Sequence, residues 1–159
     1  MRPGKQRGFA YLIVIFALAI VGVGLAAAGT TWGETARRAR EDELIRVGEL
    51  YAEAIAAYRR SSPGSEKAYP RTLEDLLEDR RYVGVRRYLR QIYADPIAGT
   101  SEWGLVRAFD GGIEGVYSKS ERVPLRTATF EAGRVRLPAA ARYSDWKFTA
   151  PAERPEGGR

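Results

Sequence analysis

Two groups of residues in this 159-residue chain could do chemistry by their type and spacing. The first is the run Arg80-Arg81-Tyr82-Val83-Gly84-Val85-Arg86-Arg87-Tyr88-Leu89-Arg90. Arg80, Arg81, Arg86, Arg87 and Arg90 alternate there with tyrosines, and no acidic residue interrupts them. Guanidinium groups grip phosphates and aromatic faces stack on bases. The same run can lie along a folded surface with Tyr82, Tyr88 and Leu89 turned inward. It can also touch anionic headgroups or the acidic faces of neighbouring subunits, and subunit contacts rank ahead of DNA. The second group is Asp95, Glu102, Asp110, Glu114 and Asp145. Carboxylates and turn carbonyls are the ligands calcium prefers. No dense Asp/Asn run gathers them, so Asp95, Asp110 and Asp145 stand as isolated calcium candidates. The bland alternative is turn residues and solvated charges.

Other chemistry is excluded by composition. The chain has no histidine, which removes a histidine-based triad, the usual imidazole acid/base and the common zinc ligand sets. It has no cysteine, so no disulfide supports a domain in an oxidising compartment. Nothing singles out a carboxylate pair for glycoside chemistry. We therefore expect no enzyme, no catalytic residue and no cofactor apart from the calcium candidates. The net charge is +6, of which Arg2, Lys5 and Arg7 supply three, and the remainder does not call for nucleic acid.

The elements that must position these groups begin at the N-terminus. The leader MRPGKQRG is basic and meets the apolar run FAYLIVIFALAIVGVGLAAA at Phe9. That run is 20 residues long and carries no charge. About 20 apolar residues in a helix span the hydrocarbon core of a bilayer. Basic residues before the span and mixed charges after it favour a cytoplasmic N-terminus and an exported body. A signal peptide cut near Ala26-Ala27-Ala28 or a plain single-span anchor fits the same pattern. Gly22, Gly24, Gly29 and Gly33 allow close helix approach or loosen the helix. Trp32 fits an outer-headgroup anchor.

Arg7-Gly8-Phe9-Ala10-Tyr11-Leu12 resembles the cleavage site of type IV prepilins and of type II secretion pseudopilins. In that family a membrane peptidase cuts between Gly and Phe and methylates the new amine. The resemblance implies a cut between Gly8 and Phe9. It also implies an assembly interface including Phe9, Tyr11, Leu12, Ile13, Ile15, Phe16, Gly22 and Gly24. It implies an α+β pilin-like fold, with a long N-terminal helix, its first half in the membrane, packed on a small antiparallel sheet head. The implied partners are other pseudopilins, in homo- and hetero-oligomers, the prepilin peptidase, an inner-membrane assembly platform and lipid. The implied place is the bacterial inner membrane, with the head in the periplasm, and a periplasmic filament after assembly. The implied role is a non-catalytic pseudopilin subunit that helps export proteins. The alternative is a minor type IV pilin that binds DNA or surfaces through the arginine run. Major pseudopilins bind calcium in a head loop. The family has Glu five residues into the mature chain, where this sequence has Ile13, so the usual docking carboxylate is missing and a minor or initiating position is favoured.

The organisation that follows is a leader at 1–8, a membrane half-helix at 9–33, an amphipathic half-helix at 34–60, a head at 61–148 and an unstructured tail at 149–159. Leu44, Val47, Tyr51, Ala54 and Tyr58 recur at three- and four-residue steps, opposite Arg40, Glu43, Arg46, Glu49 and Glu53. Arg37/Glu41, Arg38/Asp42 and Asp42/Arg46 read as i,i+4 surface pairs. With no proline between Phe9 and Arg60, one helix of about 50 residues is expected, although two helices broken near 29–33 fit as well. Ser61-Ser62-Pro63-Gly64-Ser65 ends it. Short helices are expected at 72–77, with Thr72 as N-cap, and at 86–93. A turn at 95–99, a hairpin of 103–108 and 113–117, a loop-rich stretch at 123–137 and a final strand or docked segment at 143–148 complete the head.

Overall fold

A computed structural model describes residues 7–151, without the side chains of 7–8 and 23–32. The chain is α+β. Helix α1 runs Arg7–Arg60 and passes through Gly29–Gly33 without a break. Single glycines cost a helix only about 1 kcal/mol each, and no proline removes a hydrogen bond. The chain forms two compact units, Met1–Ala39 and Arg40–Arg159.

In the first unit the described residues are all helical, and every described side chain is exposed. The second unit is built on the last five turns of α1. Leu44, Val47, Tyr51, Ala54, Ile55 and Tyr58 are buried, as the periodicity requires. Strands β1 (Gly104–Arg107), β2 (Ile113–Tyr117) and β5 (Phe148–Thr149) form one antiparallel sheet in the order β1-β2-β5. The register pairs Leu105 with Val116 and Val116 with Phe148, with an irregularity at Val106/Arg107. Ile113, Val116, Phe148 and Trp146 join the helix stripe in one core. Gly48 makes the fit possible, because a Cβ there would sit 2.3 Å from the Phe148 ring. Tyr51 ties in the 93–103 stretch. Its hydroxyl accepts from the Tyr93 N–H at 3.0 Å and donates to the Tyr93 carbonyl, and its ring meets Trp103 at 5.2 Å. Burial pushes the Tyr51 phenol up to about 12.

Four local expectations are corrected. The 72–77 helix is a single 3-10 turn, Glu74–Leu76, and Thr72 does not cap it. The Asp75 carboxylate instead accepts from the Arg71 and Thr72 N–H groups at 2.9 Å each. The 86–93 helix is absent, because the Tyr88 and Leu89 N–H groups both donate to the Leu76 carbonyl at 2.8 and 3.0 Å. The 123–137 stretch contains a second small hairpin, β3 (Phe130–Ala132) with β4 (Val135–Leu137). Its two-residue loop has positive φ only at Gly133, the pattern of a type II′ turn. Residues 149 and 150 belong to the head, since Thr149 pairs with Gly115 and the Ala150 N–H donates to the Glu114 carbonyl at 2.8 Å; the rest of the expected tail, at 152–159, lies outside the described residues.

Candidate functional site

From Phe9 to Gly22 the first unit presents an apolar helix surface with no polar side. At 100° per residue, Phe9, Tyr11, Leu12, Ile13, Val14, Ile15, Phe16, Leu18, Ile20 and Val21 reach every direction around the axis. All ten are exposed, Phe16 by 70% and Ile13 by 54%. A helix apolar all round is covered in its working state, by hydrocarbon or by other protein. Among the described residues, no helix is long and apolar enough to cross a membrane. The described side chains of the run end at Gly22, and a helix from Phe9 to there rises ~21 Å, short of the ~30 Å hydrocarbon core. The rest of the run, with Gly24, the Ala26–Ala28 alternative and Trp32, lies outside the described side chains, as do Gly8 and the leader. Of the expected interface residues, Phe9, Tyr11, Leu12, Ile13, Ile15 and Phe16 are exposed together, and Gly22 faces open space.

The arginine run is not uniform. Arg81 belongs to a clamp. Its guanidinium meets the buried Asp79 carboxylate at 2.7 and 2.8 Å, reaches the Ser62 hydroxyl at 2.8 Å and the Tyr58 carbonyl at 2.9 Å, and lies 3.5 Å over the Tyr58 ring. Those hydrogen bonds hold the Asp79 carboxyl below the usual carboxylate range, against the opposing effect of burial. The Tyr88 hydroxyl donates to Asp79 at 2.9 Å. Arg81 therefore leaves the expected patch, which is reduced to Arg80, Arg86, Arg87 and Arg90, all exposed.

The calcium candidates are not brought together. Asp95 is fully buried and already satisfied. Its carboxylate accepts from the Ile97 N–H at 2.8 Å, the Ala98 N–H at 3.1 Å and the Ser118 hydroxyl at 2.5 Å. Asp110 accepts from the Gly112 N–H, and Asp145 from the Arg142 N–H, each in its own turn. Glu102 pairs with Lys119 at 3.3 Å. No group of three or more His, Cys, Asp or Glu that could hold a metal exists among the described residues. Asp95, Asp110 and Asp145 each serve first as acceptors for backbone donors of their own local segment.

Glu41, expected in a surface pair with Arg37, is instead only 2% exposed. It accepts from the Leu125 N–H at 2.6 Å, the Arg126 N–H at 3.2 Å and the Tyr143 hydroxyl at 2.7 Å. Asp42 beside it holds the Arg126 guanidinium at 2.7 Å. The signal in the sequence is its position three residues before Leu44, on the apolar stripe rather than the polar face.

No family model, curated protein or solved structure matches this chain. Function therefore rests on the geometry. A groove of about 430 Å³ along α1 is lined by Ala54, Ala57, Arg60, Tyr88, Leu89 and Arg134 among others. What the described residues offer is surface: a bare apolar helix in the first unit and an exposed basic loop in the second.

Proposed function

We propose that this chain is a pilin-like subunit that works by assembly, as a pseudopilin of a type II secretion machine. The observation that carries the reading is the apolar circumference of α1 from Phe9 to Val21, exposed on every side. Arg2, Lys5 and Arg7 precede it, and a folded α+β unit follows in the same chain. In this reading the apolar run resides in the inner membrane, with the leader cytoplasmic and the α+β unit periplasmic. The prepilin peptidase cuts between Gly8 and Phe9 and methylates Phe9. Subunits then leave the bilayer, and Phe9, Tyr11, Leu12, Ile15 and Phe16 exchange lipid for the helices of neighbouring subunits. A short periplasmic filament results, and its growth helps push exported proteins outward. Ile13 offers no carboxylate to a neighbour's amine, so the subunit suits a minor or initiating position. Mass spectrometry of the native N-terminus tests the reading. A chain that begins with N-methylated Phe9, and a Gly8→Val variant that stays uncut in the membrane, are the expected results. A native chain starting at Gly29 would show conventional signal-peptidase processing and overturn it.

A further inference from the structure

The segment from Asp79 to Arg90 is a held loop with an apolar tip and a basic rim. The Asp79 N–H donates to the Arg86 carbonyl at 2.9 Å and closes its base. The Arg81 clamp and the Tyr82 hydroxyl, which donates to the Ser61 carbonyl, fix it to the end of α1. Gly84, at φ +114°, turns the tip, and both flanking residues are aliphatic. Val83 is 111% exposed and Val85 71%. Around them Arg80, Arg86, Arg87 and Arg90 are exposed, and none forms an ion pair among the described residues. The loop is thus anchored on one side, while its other side gives water two valines and four positive charges.

We propose that this loop docks on an anionic lipid surface. Val83 and Val85 enter the boundary between headgroups and acyl chains, and Arg80, Arg86, Arg87 and Arg90 bind the lipid phosphates around them. Apolar groups at the centre with cations at the rim are the chemistry of interfacial binding. Arginine forks suit phosphate oxygens. Single-stranded nucleic acid is disfavoured by the aromatics. Arg86 lies 4.4 Å over the Tyr82 ring, and Tyr88 packs edge-on to Tyr58 at 5.6 Å with its hydroxyl held by Asp79. Neither ring is free to stack on bases, and valines cannot. An acidic protein face would satisfy the arginines but leave the projecting valines without an apolar seat. The proposal stands whether or not α1 enters a membrane.

The chain has no cysteine, so Val83→Cys gives one labelling site. The full chain, held in a non-ionic amphipol and labelled there with an environment-sensitive fluorophore, is titrated with vesicles. Because the probe sits on the loop, it reports loop insertion and not insertion of α1. Vesicles of phosphatidylglycerol and phosphatidylcholine are expected to blue-shift the probe, and pure phosphatidylcholine is not. Each arginine near an anionic surface contributes about fivefold in partitioning, so replacing Arg86, Arg87 and Arg90 together by Gln should weaken it about a hundredfold. Val85→Asp should abolish the blue shift at unchanged circular dichroism. The proposal fails if anionic vesicles give no shift, if neutral vesicles shift the probe equally, or if the triple Gln variant partitions normally. A response to single-stranded DNA or polyglutamate in place of lipid would reassign the loop to that partner.

Discussion

Replacing Glu41 by Ala is expected to be among the most damaging single changes in the α+β unit. The side chain joins α1 to two distant parts of the chain at once, through Leu125 and Arg126 on one loop and Tyr143 on another. Hydrogen bonds to a charged acceptor contribute about 1.5–3 kcal/mol each, and leaving buried donors unpaired adds their desolvation cost. The Arg126 N–H bond is long at 3.2 Å, and the Arg126 guanidinium, 3.6 Å from Glu41, is 47% exposed, so both shares are discounted. The Leu125 N–H and the Tyr143 hydroxyl then carry most of the effect, and the loss comes to about 3–4 kcal/mol. Against a total stability of about 5–15 kcal/mol, that is a large share of what keeps a fragment of residues 34–159 folded. Trp146 is the reporter, since its ring lies 5.4 Å from Tyr143 in an edge-on pair. Urea unfolding followed by tryptophan fluorescence would compare wild type, Glu41→Ala, Glu41→Gln and Tyr143→Phe. Gln keeps one acceptor oxygen and should lose about half as much. The Glu41/Tyr143 double-mutant cycle should show a coupling of about 1 kcal/mol or more. A Glu41→Ala loss below about 1 kcal/mol, or a cycle with no coupling, would refute the view that this carboxylate stitches helix to loops.

The same fragment, starting at Glu34, is expected to be soluble and folded, with Leu44, Val47 and Tyr51 protected from protease; rapid digestion up to Tyr58 would show that this part of α1 is not part of the domain. Gly48→Val should destabilise it by about 1–3 kcal/mol through overpacking against the buried Phe148 ring, read as a lower urea midpoint. Asp79→Asn should flatten the acid limb of stability. The folded carboxyl is held below its unfolded value of ~3.9, so its contribution is present above that pH and is lost as pH falls through the folded value. The gap in melting temperature between pH 7 and pH 3 should therefore be smaller in the Asn variant than in the wild type.

Periodicity read the helix well because burial repeats on one face. Leu44, Val47, Tyr51, Ala54 and Tyr58 all reach the core. The hairpin of β1 and β2 was legible for a related reason: two short apolar runs flank Asp110-Gly111-Gly112, a turn with its own chemistry. The segments that misled are those whose backbone groups are claimed from a distance. Tyr88 and Leu89 have helical spacing, but the Leu76 carbonyl takes both of their N–H groups, and no local pattern encodes that. Asp75 caps backwards onto Arg71 and Thr72, so the acidic residue in the expected helix is the acceptor and Thr72 is a donor. β3 and β4 are three residues each, too short for alternation to stand out.

The arginine run shows why charge alone is a poor guide to a site. Its arginines look equivalent in sequence, yet the fold separates them by what lies two residues upstream. Arg81 has the buried Asp79 within reach, and that ion pair, with the Tyr58 carbonyl and ring, converts the cation into an anchor. Arg86, Arg87 and Arg90 follow Gly84 on the far limb of the loop, where the backbone is closed by the Asp79 N–H rather than by their side chains. Their guanidinium groups stay at the surface, and among the described residues no acidic side chain forms an ion pair with them. The exposed rim depends on the anchor, since the Arg81 clamp joins the Tyr82–Ser61 hydrogen bond in fixing the direction of the valine tip. Removing the clamp should therefore weaken any surface binding by the loop even though Arg81 itself touches no partner. Asp79→Asn provides that comparison at neutral pH, where the other arginines keep their charge.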